Sequence, residues 1–249
     1  MPRRTLITIP FSHYCEKARW ALDRASMRFV EEAHLPFFHI APALRASAQR
    51  TVPVLITPHG AISDSTRILL WIDSMLPEER RLFPSDRKVG AEVERWESRF
   101  DDDLGPHTRR WGYSKLLPER ELAQSLLGKH VSEFEMRGLR ATWPVAVALM
   151  QRAMKINPRS AERSLAKVRS VFSDVSEALS DGREYLVGDR FTAADLTFAA
   201  LSAPVLLPAG YAKWLGSRDE APRSMHAVID ELRATPAGQY AMRVYERDR

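Results

Sequence analysis

FSHYCEKARWAL, residues 11–22, is the stretch from which the fold is read. Within it and just beyond, Cys15, Ala18, Leu22 and Ala25 recur at spacings of three and four, the one-sided repeat of an amphipathic helix. Directly before it, residues 5–9, TLITI, are strand formers that alternate and stop at Pro10. Ser12 therefore stands where a strand gives way to a helix. A helix start carries unpaired N–H groups and about half a positive charge, so an anion brought there is stabilised. Serine is also a good helix cap. Capping and holding an anion use the same geometry, and both readings of Ser12 stay open on these residues alone.

Working outward, residues 29–33 read as a second strand, 52–56 as a third and 61–63 as a fourth, with Pro58-His59-Gly60 as the turn between the last two. Residues 36–49 hold a weak helix or loop. Residues 65–75 are helical, with Ile68, Leu69 and Ile72 on one face. LPEERRLFPSD, residues 76–86, breaks both periodicities with two prolines and a charge cluster. Beyond it the pattern is helical. Residues 88–116 read as one long helix with Val93, Trp96, Phe100 and Leu104 on a stripe, and 160–179, 192–203 and 222–233 as three more. Thr192-Ala193-Ala194-Asp195 is a capping box, and Thr235-Pro236 opens a final helix with Thr as cap. Residues 117–158 are cut by Pro118, Pro144 and Pro158 into short helices. The division is an α/β domain over 1–76, a linker over 77–86 and an all-helical domain over 87–249.

Composition excludes several classes. At 45% hydrophobic and 28% charged over 249 residues, the chain is no disordered or low-complexity sequence. One cysteine, Cys15, leaves no internal disulfide and no multi-cysteine zinc site. The most apolar stretch, 196–211, is interrupted by Pro204 and Pro208, short of the roughly 20 residues a spanning helix needs. The start, MPRRTLITIPF, has too short an apolar run for a signal peptide. Net charge is +5, but the basic residues are scattered among acids, which argues against nucleic acid as a partner. Asp101-Asp102-Asp103 mimics a metal motif, yet consecutive helical residues do not converge, and His107 and His130 stand alone, so no metal is expected.

Taken in order, FSHYCEKARWAL, TVPVL (51–55), SDSTRILLWI (63–72), LPEERRLFPSD, YLVGDRFTAADLTFAA (185–200) and TPAGQYAMRVY (235–245) resemble the cytosolic glutathione transferase superfamily, in its bacterial, serine-site form. The resemblance implies a thioredoxin-like N-terminal domain joined to an all-α C-terminal domain. It implies glutathione as co-substrate, with Ser12 in the position whose hydroxyl assists the thiolate. Val52-Pro53 matches the family's cis-proline, which leaves the backbone of Val52 to pair with the cysteinyl part of glutathione. Asp64 and Ser65 would hold the ammonium and carboxylate of the γ-glutamyl end, Asp64 replacing a more frequent Glu. The glycine end needs a cation, with His39, Arg45 and Arg50 as candidates, of which His39 is counted among the glutathione-binding residues. Tyr14, Trp111 and Tyr113 would line the pocket for the electrophile, with Arg109 and Arg110 beside them facing either solvent or the cleft. A homodimer in the cytoplasm, working in detoxification, completes the expectation, and Leu70 and Trp71 lie off the apolar face of their helix as a contact surface. Residues 105–158 match no family pattern, so the electrophile stays unnamed. Two rival readings stand beside this one. A thiol reductase would use Cys15, although that residue also lies on the apolar stripe as a buried thiol would. A non-catalytic binding protein would keep the fold alone.

Overall fold

Leu6 and Ile7 are both buried in the first strand, β1 (Thr5–Thr8), and everything in the N-terminal half is arranged about it. The computed structural model describes residues 4–249; residues 1–3, where the leader-like start begins, lie outside the described residues. After β1 come α1 (His13–Arg24), β2 (Val30–Ala33), α2 (Ile40–Ser47), β3 (Val54–Thr57), β4 (Gly60–Ser63) and α3 (Ser65–Asp73). The strands form one mixed sheet in the order β2-β1-β3-β4. β1 and β2 run parallel, which requires a crossover, and α1 supplies it. β3 pairs antiparallel with both β1 and β4. Pairing in β3 starts at Val54 rather than at the expected 52, because Pro53 has no N–H to give a ladder. The weak segment 36–49 forms α2.

A 3-10 turn at Glu78–Arg80 follows, and the buried Asp73 carboxylate accepts from the N–H of Leu82 (3.0 Å) and Phe83 (2.7 Å). The second half is helical: α4 (Arg87–Asp103), α5 (Gly105–Leu116), α6 (Arg120–Leu127), α7 (Glu133–Ala141), α8 (Trp143–Ala153), α9 (Pro158–Ala178), α10 (Ala193–Leu206), α11 (Ala209–Leu215), α12 (Arg223–Ala234) and α13 (Pro236–Asp248). The α10 helix starts at the Thr192–Asp195 capping box and is buried along its whole length, which is why its sequence is apolar on every side. Among the described residues no single helix is long and apolar enough to cross a membrane.

The single helix expected over 88–116 is two. Pro106 has no N–H to donate to the carbonyl of residue 102, which breaks the ladder there. Gly105 provides room at the break: a Cβ on it would lie 2.2 Å from the Tyr14 hydroxyl oxygen. The start of α1 docks into that gap. The three acids before the break point apart. Asp101 pairs with the buried Lys17 (3.0 Å), Asp103 with Lys167 (3.0 Å), and Asp102 is exposed.

Residues 117–156, opaque in the sequence, build a second apolar core of their own. Leu126, Leu127, Met136, Leu139, Trp143 and Met150 close over Phe11 and Leu35 of the sheet half. Pro144 and Pro158 sit in the first turns of α8 and α9, where a missing N–H costs nothing. The Glu135 carboxylate fastens α7 to the sheet half by accepting from the N–H of Leu35 (2.7 Å) and meeting His34 Nδ1 (2.7 Å).

Candidate functional site

Where the strand-to-helix junction faces the helical half, a cleft of about 280 Å³ opens. Its floor is Ser12, His13 and Tyr14 at the start of α1. Val52 and the segment around Pro36, His39 and Ile40 form one side. Arg109, Gly112, Tyr113 and Leu116 of α5 form the opposite wall, and Leu127, Met150 and Met154 roof it.

Ser12 caps α1 with extended backbone (φ −78°, ψ 121°), and its Oγ accepts from Cys15 N at 3.4 Å. That distance is at the outer limit of a hydrogen bond, so the cap is weak. Among the described residues the Ser12 hydroxyl donates to no partner, and its proton is free to meet an acceptor in the cleft.

The Val52–Pro53 peptide bond is cis, Val52 lines the cleft and Pro53 is buried behind it. Val52 precedes the first ladder pair, Val54 with Ser63, so its own backbone groups lie outside the sheet pairing. Asp64 N donates to Pro53 O at 3.3 Å, which sets the start of α3 beside this turn. Asp64 is exposed, with a left-handed φ of 84°, and its Oδ1 accepts from Arg67 N at 3.1 Å. Ser65 is buried at the helix start. Asp64 and Ser65 thus stand beyond the edge of the cleft proper rather than in its wall.

Tyr14 and Tyr113 line the cleft, and burial raises both phenols above their ordinary range, so each stays protonated. The Tyr14 hydroxyl is already engaged, donating to the carbonyl of Asp101 at 2.9 Å. Trp111 is a correction. It is buried in the main core on the far side of α5, against α9. Residues 111 and 113 lie about 200° apart around a helix and cannot both face one cleft. The wall residues 109, 112, 113 and 116 instead share one face at i, i+3, i+4 and i+7. That signal was present in the sequence and picks out Arg109 and Leu116.

His39 is a second correction. It lines the cleft, but burial pulls its imidazole below the usual value, so it is neutral at pH 7 and supplies no standing cation. Arg45 and Arg50 are exposed and outside the cleft wall. Cys15 is fully buried, and burial pushes its thiol up to about 11. A nucleophilic cysteine needs an accessible thiolate, and Cys15 has neither property. His13, which the sequence did not mark as functional, is held neutral, its pKa pushed down to about 3 by burial and by the charge of Arg109. Its Nε2 meets Gly105 O at 2.9 Å and braces the cleft floor against α5.

Residues 6–80 match the family model described as glutathione S-transferase, N-terminal domain, and residues 139–207 the model described as glutathione S-transferase, C-terminal domain. Among solved structures, the chain is similar to a glutathione S-transferase from Methylobacterium radiotolerans in complex with glutathione sulfonate, at 20% identity over 96% of this chain and 94% of that one, with a TM-score of 0.56. A possible glutathione S-transferase from Rhodopseudomonas palustris gives 16% identity, 98% and 94% coverage and a TM-score of 0.63. The beta-etherase LigF from Sphingobium sp. strain SYK-6 gives 19%, 96% and 98%, and 0.61. These likenesses are of fold. No curated protein matches the chain in sequence.

Proposed function

The chain belongs to the glutathione transferase superfamily, and on that footing we propose that it is a glutathione transferase, activating the thiol of glutathione at Ser12 for attack on an electrophilic small molecule. The observation that carries this reading is the free hydroxyl of Ser12 at the start of α1, on the floor of a cleft walled by both halves of the chain. The solved relative with glutathione sulfonate bound supports glutathione as the co-substrate.

The chemistry asks little of the protein. A free thiol of pKa about 8.5 is about 3% ionised at pH 7; lowering it by about 2 units makes it mostly thiolate, at a cost of about 2.7 kcal/mol. A hydrogen bond from a hydroxyl to an anion contributes about 1.5–3 kcal/mol and a helix start about 0.3–1 kcal/mol, which together suffice. The thiol proton leaves to solvent. The sulfur lone pair then forms the new S–C bond while the leaving group departs with its own bonding pair, or while a conjugated double bond takes up the electrons. In this reading the backbone of Val52 aligns the cysteinyl part, Asp64 meets the ammonium of the γ-glutamyl end, and Ser65 meets its carboxylate. The neutral His39 donates a hydrogen bond at the glycine end.

The proposal extends to a cytoplasmic homodimer that detoxifies electrophiles. Leu70 of α3 is 46% exposed and supports a contact there, while Trp71 is half-buried with the Arg4 guanidinium 5.7 Å from its ring centre. Light scattering at micromolar concentration checks it: about twice 28.4 kDa supports the dimer, and 28.4 kDa refutes it. For the activity, the test is retention on immobilised glutathione followed by conjugation of 1-chloro-2,4-dinitrobenzene. Retention with turnover is expected. Retention without turnover would leave a non-catalytic glutathione binder, and loss of both would remove glutathione from the site.

A further inference from the structure

Among the described residues, Arg109 is the one residue of the cleft wall that carries a formal charge at neutral pH. Among the described residues the wall has no Asp, Glu or Lys, and burial lowers the pKa of both its histidines, His13 and His39. Among the described residues Arg109 makes no ion pair, and its Nε is buried with no hydrogen-bond acceptor. The contrast with the next residue is direct. Arg110, turned to the other side of α5, donates through Nε to Met154 O at 2.8 Å and through Nη1 to Ser164 Oγ at 3.0 Å. A guanidinium with no ion-pair partner in a mostly apolar cleft is costly to keep, and an incoming carboxylate answers its outer N–H groups with a charge-assisted contact.

We infer that Arg109 selects the second substrate: the electrophile taken by this cleft is an apolar, flat molecule carrying a carboxylate or comparable anionic group, and Arg109 binds that group. The inference rests on the transferase reading for the identity of the second substrate, but the anion site itself is independent of it. The position of Arg109 favours the electrophile over glutathione as its partner. Arg109 sits on the helical wall, on one face of α5 with Gly112, Tyr113 and Leu116, and Tyr113 and Leu116 pack into the apolar roof core. The turn at Val52 and the start of α3 belong to the sheet half. The apolar body of the electrophile then lies against Tyr113, Leu116 and Met150, its charge on Arg109 and its reactive carbon toward the cleft floor at Ser12.

The test compares 2-naphthoate with the isosteric, neutral 2-naphthamide by titration calorimetry on the full chain without glutathione. The wild-type protein is expected to bind the carboxylate at least about tenfold more tightly, the scale of one charged hydrogen-bonded contact. In Arg109→Gln that ratio falls to about one, and in Arg109→Lys, which keeps the charge but not the fork, it lies between. Because the readout is a ratio, a general loosening of the cleft does not imitate it, and the lysine variant keeps the test open if the glutamine variant folds poorly. A ratio near one in the wild type, or a preference that survives Arg109→Gln, overturns the inference. So does a rise in the pKa of bound glutathione on Arg109→Gln, read from thiolate absorbance, or a loss of glutathione affinity matching the loss for naphthoate; either would assign Arg109 to glutathione instead. A naphthoate preference in a protein that glutathione resin does not retain would sink the transferase reading and leave the anion site standing. Conjugation of 1-chloro-2,4-dinitrobenzene without any naphthoate preference would do the reverse.

Discussion

Tyr14 donates its hydroxyl to the carbonyl oxygen of Asp101 at 2.9 Å, so the residue two places after Ser12 is bolted to the last turn of α4. With His13 on Gly105 O, this contact makes the geometry of the cleft floor depend on a helix break about ninety residues away. A disturbance at that break is therefore felt at Ser12.

Gly105→Ala tests the coupling. A Cβ at Gly105 meets the Tyr14 ring at 2.6 Å as well as its hydroxyl, so the ring must shift and loosen its bond to the Asp101 carbonyl. Overpacking of this kind costs about 1–3 kcal/mol. A Cβ on Gly112, in the same helix, would meet nothing within 4 Å. Gly112→Ala should be neutral or stabilising, by up to about 1 kcal/mol of helix propensity. Urea unfolding of the two variants measures the contrast, and equal stabilities would show that the Tyr14 contact does not constrain the break.

Ser12→Ala is expected to lower turnover at saturating glutathione by about 10–1000-fold, the range for loss of one donor to an anion. Its stability should fall by no more than about 1 kcal/mol, since the cap bond it removes is long. Steady-state conjugation kinetics and thermal unfolding read the two effects separately. Undiminished turnover would disqualify Ser12 as the activating hydroxyl.

Asp64→Asn keeps an acceptor for Arg67 N but removes the charge. The γ-glutamyl end changes little on the way to the transition state, so glutathione affinity should fall while turnover at saturation holds more nearly steady. Calorimetric titration with glutathione is the measurement. Affinity equal to that of the wild type would mean that the ammonium is held elsewhere.

The contact that fastens α7 to the sheet half is expected to depend on pH. Burial lowers the pKa of His34, but its bonds to Glu135 and Glu32 outweigh that and raise it overall. A raised histidine pKa stabilises the folded state fully below the unfolded value, and the contribution is lost as pH rises through the folded value. Amide exchange in α7 should therefore quicken, beyond the intrinsic rate increase, as pH rises from about 6 toward 8, the range through which histidine titrates. His34→Gln should flatten that response, and an identical profile in the variant would show that the latch does not titrate.

Several features of this protein follow from the sequence alone because their causes are local. The strand-to-helix junction at Ser12, the Thr192–Asp195 capping box, the Thr235 cap of α13 and the strand formers of β1 all depend on neighbours within four residues. Pro53 has no N–H wherever the chain goes, and Pro236 after Thr235 suits a first helical turn. What tertiary structure decided has its causes far along the chain. Periodicity puts Arg109, Gly112, Tyr113 and Leu116 on one face but leaves open whether that face meets a core, a cleft or water, and Trp111 lies in the core, not the cleft, for that reason. The second core over residues 117–156 exists only because Phe11 and Leu35 lie beneath it. Burial lowers the pKa of His39 and raises that of the Cys15 thiol, the latter as the apolar stripe suggested, since the cost of a charge depends on the solvent that folding removes.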